Sequence, residues 1–221
     1  DGKIFLEEKY KVALSPNGNG GWYSSLINAG YNEILKKEGI KWINVYSVDN
    51  VLQRICDPVF IGATLKNGFV CSSKVVEKVS PEERVGVLCK EDGISTVIEY
   101  FEMDKNTAAL RDKNGKLIYR FGVILNYLFN VDTLNKIYKK KLPYHKAQKA
   151  IPHIENGVKV SPNTPCGYKF ETLTTDMIKL MGNCLAVEVE RDKEFAPIKN
   201  RTGIDSVDTA RELLKKNGVE L

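Results

Sequence analysis

The chain predicts a mixed α/β fold, and three features of its sequence carry that expectation. Residues 41–48 (KWINVYSV) form a β-branched apolar run that ends in Asp49-Asn50, as a buried strand with a polar carboxyl end does. Glu91-Asp92-Gly93 joins two further strand-like runs, and Asp-Gly at that place is a hairpin signal. Residues 206–217 space apolar side chains as a helix does and are followed by Gly218, a residue suited to the left-handed position past a helix end. With 221 residues, of which 43% are hydrophobic, the chain can bury a sizeable core.

In chain order, Gly2-Lys3 before Ile4-Phe5 reads as a hairpin tip entering a strand. The chain opens on Asp1 without a methionine, so it reads as a piece of a longer product. Val12-Ala13-Leu14 leads into Pro16-Asn17-Gly18-Asn19-Gly20-Gly21-Trp22-Tyr23. Glycines there let backbone groups approach a flat or phosphorylated ligand, and Asn19 offers both an amide donor and a carbonyl acceptor. In open α/β sheets ligands collect at the carboxyl ends of strands, which makes Asp49-Asn50 a candidate for a metal or phosphate. Residues 51–56 read as a short helical stretch stopped by Asp57-Pro58, because the residue before proline is pushed out of the α region.

Residues 69–79 read as a strand, within which residues 74–78 (KVVEK) look like an edge with its charges outward. Residues 84–90 and 94–102 form the hairpin, with Glu99-Tyr100 inside its second strand. Residues 116–121 read as another strand after the Lys113-Asn114-Gly115 turn. A helix opened by Asp132 ends at Lys139-Lys140-Lys141, where cations suit the helix dipole. Residues 143–165, with four prolines, read as a long irregular excursion. Residues 185–190 alternate apolar and acidic side chains like a half-exposed strand. Residues 191–200 (RDKEFAPIKN) pack charges around a proline turn, and Lys199 there is a surface lysine or a phosphate-neutralising group. The helix at 206–217 turns Leu213 and Leu214 inward, and nothing in the composition marks a linker, so the whole reads as one continuous domain.

Composition narrows the function classes. Lys+Arg total 33 against 28 Asp+Glu, a net charge of +5 spread along the chain, which suits phosphorylated small molecules and not nucleic acid. Cys56, Cys71, Cys89, Cys166 and Cys184 are five widely spaced residues without a C-x-x-C pair. That excludes a disulfide framework and a zinc site and points to a reducing, cytoplasmic setting. His145 and His153 are the only histidines, so no His-based metal site or triad is signalled. No apolar run approaches the ~18 residues of a membrane span.

Several motifs stand in fixed order: PNGNGGWY, INVYSVDNVLQRICDPVFIG, KVVEKVSPEERVGVLC, VIEYFEM, LPYHKAQKAIPH, GYKFETL, ERDKEFAPIKN and DSVDTARELL. On these the chain resembles the eukaryotic UDP-sugar pyrophosphorylases, and most closely those acting on UDP-N-acetylglucosamine (UDP-N-acetylhexosamine), over roughly residues 1–215. The resemblance implies a Rossmann-like nucleotide-diphosphosugar transferase core with a mixed sheet, incomplete at both ends. It also implies a uridylyltransferase that joins UTP and N-acetylglucosamine 1-phosphate with the help of Mg²⁺, with neither nucleic acid nor membrane as partner. By the family pattern, uracil lies against the backbone at Gly18 and the sugar-phosphate side against Asn19, with Gly20 of the same loop also binding substrate. Asp49 faces the triphosphate and metal; Gly86, Glu99 and Tyr100 face the hexosamine; Lys169 and Lys199 neutralise phosphate.

Two positions depart from that pattern. Val123 stands where the family has an asparagine that hydrogen-bonds the sugar, and Leu173-Thr174-Thr175-Asp176 replaces an aromatic F-x-F-D wall while keeping Asp176. The family's first glycine-rich loop (L-x-G-G-x-G-T-R-L) and its small C-terminal domain are absent from these residues. The expectation is therefore the central and C-terminal part of a catalytic domain, 1–221, inactive alone. A UDP-glucose or broad UDP-sugar pyrophosphorylase, and a non-catalytic binder of nucleotide sugars, remain open alternatives.

Overall fold

A computed structural model of the chain describes residues 2–221; Asp1 lies outside them. The elements are, in order, β1 (Leu6–Glu8), β2 (Lys11–Val12), α1 (Trp22–Asn28), α2 (Tyr31–Lys37), β3 (Trp42–Tyr46), α3 (Pro58–Lys66) and β4 (Cys71–Glu77). There follow β5 (Val87–Glu91), β6 (Ile94–Ile98), α4 (Lys105–Ala108), β7 (Phe121–Asn130), α5 (Val131–Ile137) and β8 (His145–Lys149). The last are β9 (His153–Glu155), β10 (Val158–Val160), β11 (Gly167–Glu171), α6 (Thr175–Met181), β12 (Leu185–Glu188), α7 (Arg191–Glu194) and α8 (Val207–Lys216). The mixed α/β expectation is met. Residues up to Asn32 with Tyr138–Met177 form one compact unit, and Glu33–Ile137 with Ile178–Leu221 form a second.

In the first unit β8 and β11 pair antiparallel, from Gly167 opposite Lys149 to Glu171 opposite His145. β9 and β10 form a hairpin through Asn156 and Gly157, at φ 52° and 81°, the left-handed pair that tight hairpin turns require. Residues 143–165 are thus an ordered run of strands and not an irregular excursion. The Asn-Gly pair was the local signal for it. Tyr23 of α1 is fully buried and meets Tyr138 edge-on, ring centroids 6.0 Å apart.

The second unit is built on a six-stranded mixed sheet in the order β12-β4-β7-β5-β6, with β3 also paired to β7. β12 runs parallel to β4, and the other pairings are antiparallel. β4 is therefore an interior strand, which corrects the edge reading of residues 74–78. Lys74 is fully buried, its Nζ 2.7 Å from Asp57 Oδ2 and 2.5 Å from Glu194 Oε2. A charge on a strand reads as outward only when nothing brings counter-charges to it; here a turn and the end of α7 each bring one.

β7 carries a bulge opposite Lys74. Ser73 pairs with Tyr127 but Val75 pairs with Val123, and Leu125 within the bulge has φ 50°. The carbonyls released there are taken up locally: Ser47 N donates to Leu125 O (2.9 Å), and Gln53 Nε2 donates to Ile124 O and Leu125 O (3.3 Å each).

Five further expectations are corrected. Residues 51–56 form turns and no helix, with Cys56 at φ 50°. Asp57-Pro58 starts a helix instead of stopping one: Asp57 Oδ1 accepts from Val59 N at 3.0 Å, and proline fits the first helical position, where its missing N–H has no partner to lose. Residues 116–120 hold no strand, only a bridge from Leu117 to Arg111, and Glu99-Tyr100 follow β6 instead of lying within it. α5 is opened by Asn130, whose Oδ1 accepts from Thr133 N at 3.0 Å, and it ends at Ile137 before the lysine run. α8 meets its expectation, with Ser206 and Thr209 exchanging hydrogen bonds at its start. Among the described residues no helix is long and apolar enough to cross a membrane.

Candidate functional site

The expected site residues fall into two sets, one in each unit. In the first, the Gly18-Asn19-Gly20 loop is zipped to the chain just past β11. Thr172 N donates to Asn17 O (2.7 Å) and Gly20 N donates to Thr172 O (2.9 Å). Gly18 sits at φ 84°, and a Cβ there would collide with the Thr172 carbonyl oxygen, so glycine is required twice over. Asn19 Oδ1 accepts from Thr174 N (2.8 Å), and the Thr174 hydroxyl donates to Asn19 O (2.9 Å). With its carbonyl engaged, Asn19 has its amide Nδ2 left to offer a ligand. Thr172 and Thr174, which hold the loop, were not singled out from the sequence, and their 155-residue separation from it leaves no local signal.

Lys169 lies on β11, part-buried, with Nζ 2.5 Å from Glu171 Oε1, two residues along the same face. Its charge already has a partner within the strand. Asp176, kept in the altered wall segment, is met by His145 Nε2 at 2.9 Å.

The second set is gathered by the sheet. Asp49 follows β3, and the Ser47 hydroxyl donates to its Oδ1. Asp49 O accepts from Ile198 N at 2.9 Å, so the backbone brings Lys199, the next residue, alongside the Asp49 turn. Lys199 is exposed, and its N–H donates to Asp205 O at 2.7 Å. Gly86, Glu99 and Val123 also converge. Gly86 O accepts from Val123 N (2.9 Å), and a Cβ on Gly86 would stand 3.3 Å from both carboxylate oxygens of Glu99 and 2.9 Å from Val97 Cγ1. Tyr100 comes next, 46% exposed, edge-on to Phe101 at 5.3 Å.

Electrostatics follow from burial. The fully buried Tyr127 hydroxyl, with no hydrogen-bond partner among the described residues, is pushed well above the ordinary phenol range by desolvation and then by the charge of Glu99. Burial pushes the Asp57 carboxyl up, but hydrogen bonds from Lys74 and Val59 N, with the Lys74 charge, outweigh it and hold the group below its usual range.

Comparison with known proteins bears on the family and the fold. A solved Entamoeba histolytica structure superposes with TM-score 0.87 at 33% identity, over 97% of this chain and 54% of that one. The uridine diphosphate N-acetylglucosamine pyrophosphorylase of Trypanosoma brucei superposes at 0.81 and 27% identity, over 96% and 44%. The fold is that of the nucleotide-sugar pyrophosphorylases. Residues 1–213 match the family described as UTP–glucose-1-phosphate uridylyltransferase, and the chain belongs to that family. It is 42% identical to human UDP-N-acetylhexosamine pyrophosphorylase-like protein 1 over 220 residues, 97% of this chain and 43% of the human one. It is 38% identical to the UDP-N-acetylglucosamine pyrophosphorylase of Saccharomyces cerevisiae over 229 residues, 98% and 48%. The chain thus spans less than half the length of these two relatives.

Proposed function

We propose that the protein transfers a uridylyl group from UTP to N-acetylglucosamine 1-phosphate, forming UDP-N-acetylglucosamine and releasing pyrophosphate. The observation that carries this reading is the backbone pairing of Asp49 with Ile198, which brings the segment that carries Lys199 to the turn that carries Asp49. A carboxylate beside a lysine suits a reaction whose difficulty is holding two phosphate anions together.

The new bond forms between a phosphate oxygen of the sugar 1-phosphate and the α-phosphorus of UTP, while the bond to pyrophosphate breaks. Lys199 offsets repulsion between the two anions and charge on the departing pyrophosphate. Lys169 does the same once it exchanges Glu171 for phosphate. Gly18 offers its backbone to uracil, Gly20 keeps the loop open to substrate, and Asn19 offers Nδ2 to the sugar-phosphate side. Gly86 gives the hexosamine close approach to Glu99, whose oxygens accept from sugar hydroxyls, with Tyr100 alongside.

Asp49 is the residue that would hold Mg²⁺. No group of three or more His, Cys, Asp or Glu that could hold a metal occurs among the described residues, and Mg²⁺ suits a single carboxylate with substrate phosphates and water completing its shell. Bound there, the ion would neutralise triphosphate charge. The five unpaired thiols support a cytoplasmic setting.

The test is pyrophosphate release by the full-length gene product with UTP, Mg²⁺ and a panel of sugar 1-phosphates. Turnover with N-acetylglucosamine 1-phosphate is expected, and none with any sugar would sink the proposal. A second reading, preference for glucose 1-phosphate, is favoured by Val123, whose side chain brings no hydrogen-bonding group beside Gly86 and Glu99. If that pocket reading is right, Val123→Asn moves the preference toward the N-acetylated sugar, read as the ratio of kcat/KM values.

A further inference from the structure

Asn50 is the best-connected polar side chain of the Asp49 turn, and the function above gives it no task. It is 3% exposed. Its Nδ2 donates to Glu194 O at 2.8 Å, and its Oδ1 accepts from Ala196 N at 2.8 Å and from Leu52 N at 3.3 Å. One carboxamide therefore grips both sides of the 194–196 stretch and its own turn.

The backbone around it has a matching gap. Asn50 and Pro197 face each other in an isolated antiparallel bridge, flanked by Val51 N donating to Ala196 O (3.3 Å) and Ile198 N donating to Asp49 O (2.9 Å). In that pattern the central pair exchanges no backbone hydrogen bond, so proline is tolerated at 197. A two-bond bridge alone is a weak tether. The Asn50 side chain adds two bonds to the opposite segment, both out of water, where an unmet partner is costly. The far side is anchored in turn, since the Glu194 carboxylate is tied to the buried Lys74.

We infer that Asn50 is a positioning residue: its buried carboxamide clamps the turn that carries Asp49 to the segment that carries Lys199, and so fixes the spacing of these two groups. The inference rests on the uridylyl-transfer reading for its effect on rate, but the clamp itself is testable without it.

Both arms of the test use the full-length protein carrying Asn50→Asp or Asn50→Leu. The aspartate keeps the acceptor but sets an oxygen against Glu194 O, and the leucine removes donor and acceptor at similar volume. In the first arm, hydrogen exchange should quicken at the Val51, Ala196 and Ile198 amides while Val75 and Val76 of β4 keep their protection. Unchanged exchange at the three amides, or loss across β4 in both variants, overturns the inference. In the second arm, each variant should lower kcat by about 10- to 100-fold, the range for residues that orient a reacting group, with the UTP KM little moved. Combined with Asp49→Asn, the loss should not exceed that of Asp49→Asn alone; losses that multiply would show that Asn50 does not act through Asp49 and overturn the inference. If the unaltered protein turns over no sugar 1-phosphate, the functional reading falls, and the exchange arm alone decides the clamp.

Discussion

The two compact units hold their candidate ligand groups with different balances of backbone and side-chain bonds. In the first, the Gly18-Asn19-Gly20 loop is fastened by backbone bonds to Thr172 and by the small Thr174 side chain. In the second, the Asp49 and Lys199 segments are fastened by buried polar and charged side chains: Asn50, Glu194 and Lys74. A backbone fastening is indifferent to charge but cannot accept added atoms. A side-chain fastening has room for change in shape but fails when a charge or proton is misplaced. The two units should therefore break under different insults.

The largest effect is expected at Lys74. Lys74→Met takes the buried cation from between Asp57 and Glu194, leaving only the exposed Arg54, 3.8 Å from Glu194, and removing one partner of a buried pair costs about 3–5 kcal/mol. Chemical denaturation would read it, and a loss below about 1 kcal/mol, the range of exposed pairs, would show that the cluster is wetter than its burial implies. Next comes Gly18→Ala, which must adopt a positive φ and meet the Thr172 carbonyl; about 1–3 kcal/mol is expected, with weakened UTP binding by calorimetry. Unaltered UTP binding in that variant would break the comparison on the backbone side. Thr174→Val removes the hydroxyl bond to Asn19 O while keeping the Thr174 N–H bond to Asn19 Oδ1, and about 1 kcal/mol is expected in thermal unfolding.

The smallest effect is one of pH. The folded-state pKa of Asp57 lies below its ordinary value, so its contribution is complete above the usual carboxylate range and is lost as pH falls through the folded value. Asp57→Asn should flatten that part of the acid limb of stability, while Thr174→Val should leave its slope unchanged. An acid limb identical in Asp57→Asn and the unaltered protein would contradict the assignment.

What the sequence disclosed depends on the range of the forces involved. Asp92-Gly93 declared its hairpin because the turn is set by two local dihedrals, φ 50° and 81°. Gly218, at φ 78°, declared the end of α8 for the same reason. Lys74 could not declare its burial, because its two acids lie 17 and 120 residues away. β7 was obscured by its own bulge and by Asn126, which sits fully buried in the strand because Asn44 Nδ2 donates to its Oδ1 and it donates to Gln53 Oε1. The same limit applies to the site. Glycines, Asp49 and Lys199 were visible as residue types, and family resemblance ordered them. The partners that place them, Thr172, Thr174 and Asn50, work through contacts that no local pattern encodes.

The ion cluster on β4 also constrains how this sequence can drift. Asp57, Lys74 and Glu194 each become a liability if either neighbour is lost, yet apolar residues of matching volume could replace all three together at little cost. A lineage cannot easily reach that exchange one codon at a time. These three positions should accordingly change as a set or not at all, and a relative carrying an apolar residue at one of them should carry altered partners at the other two.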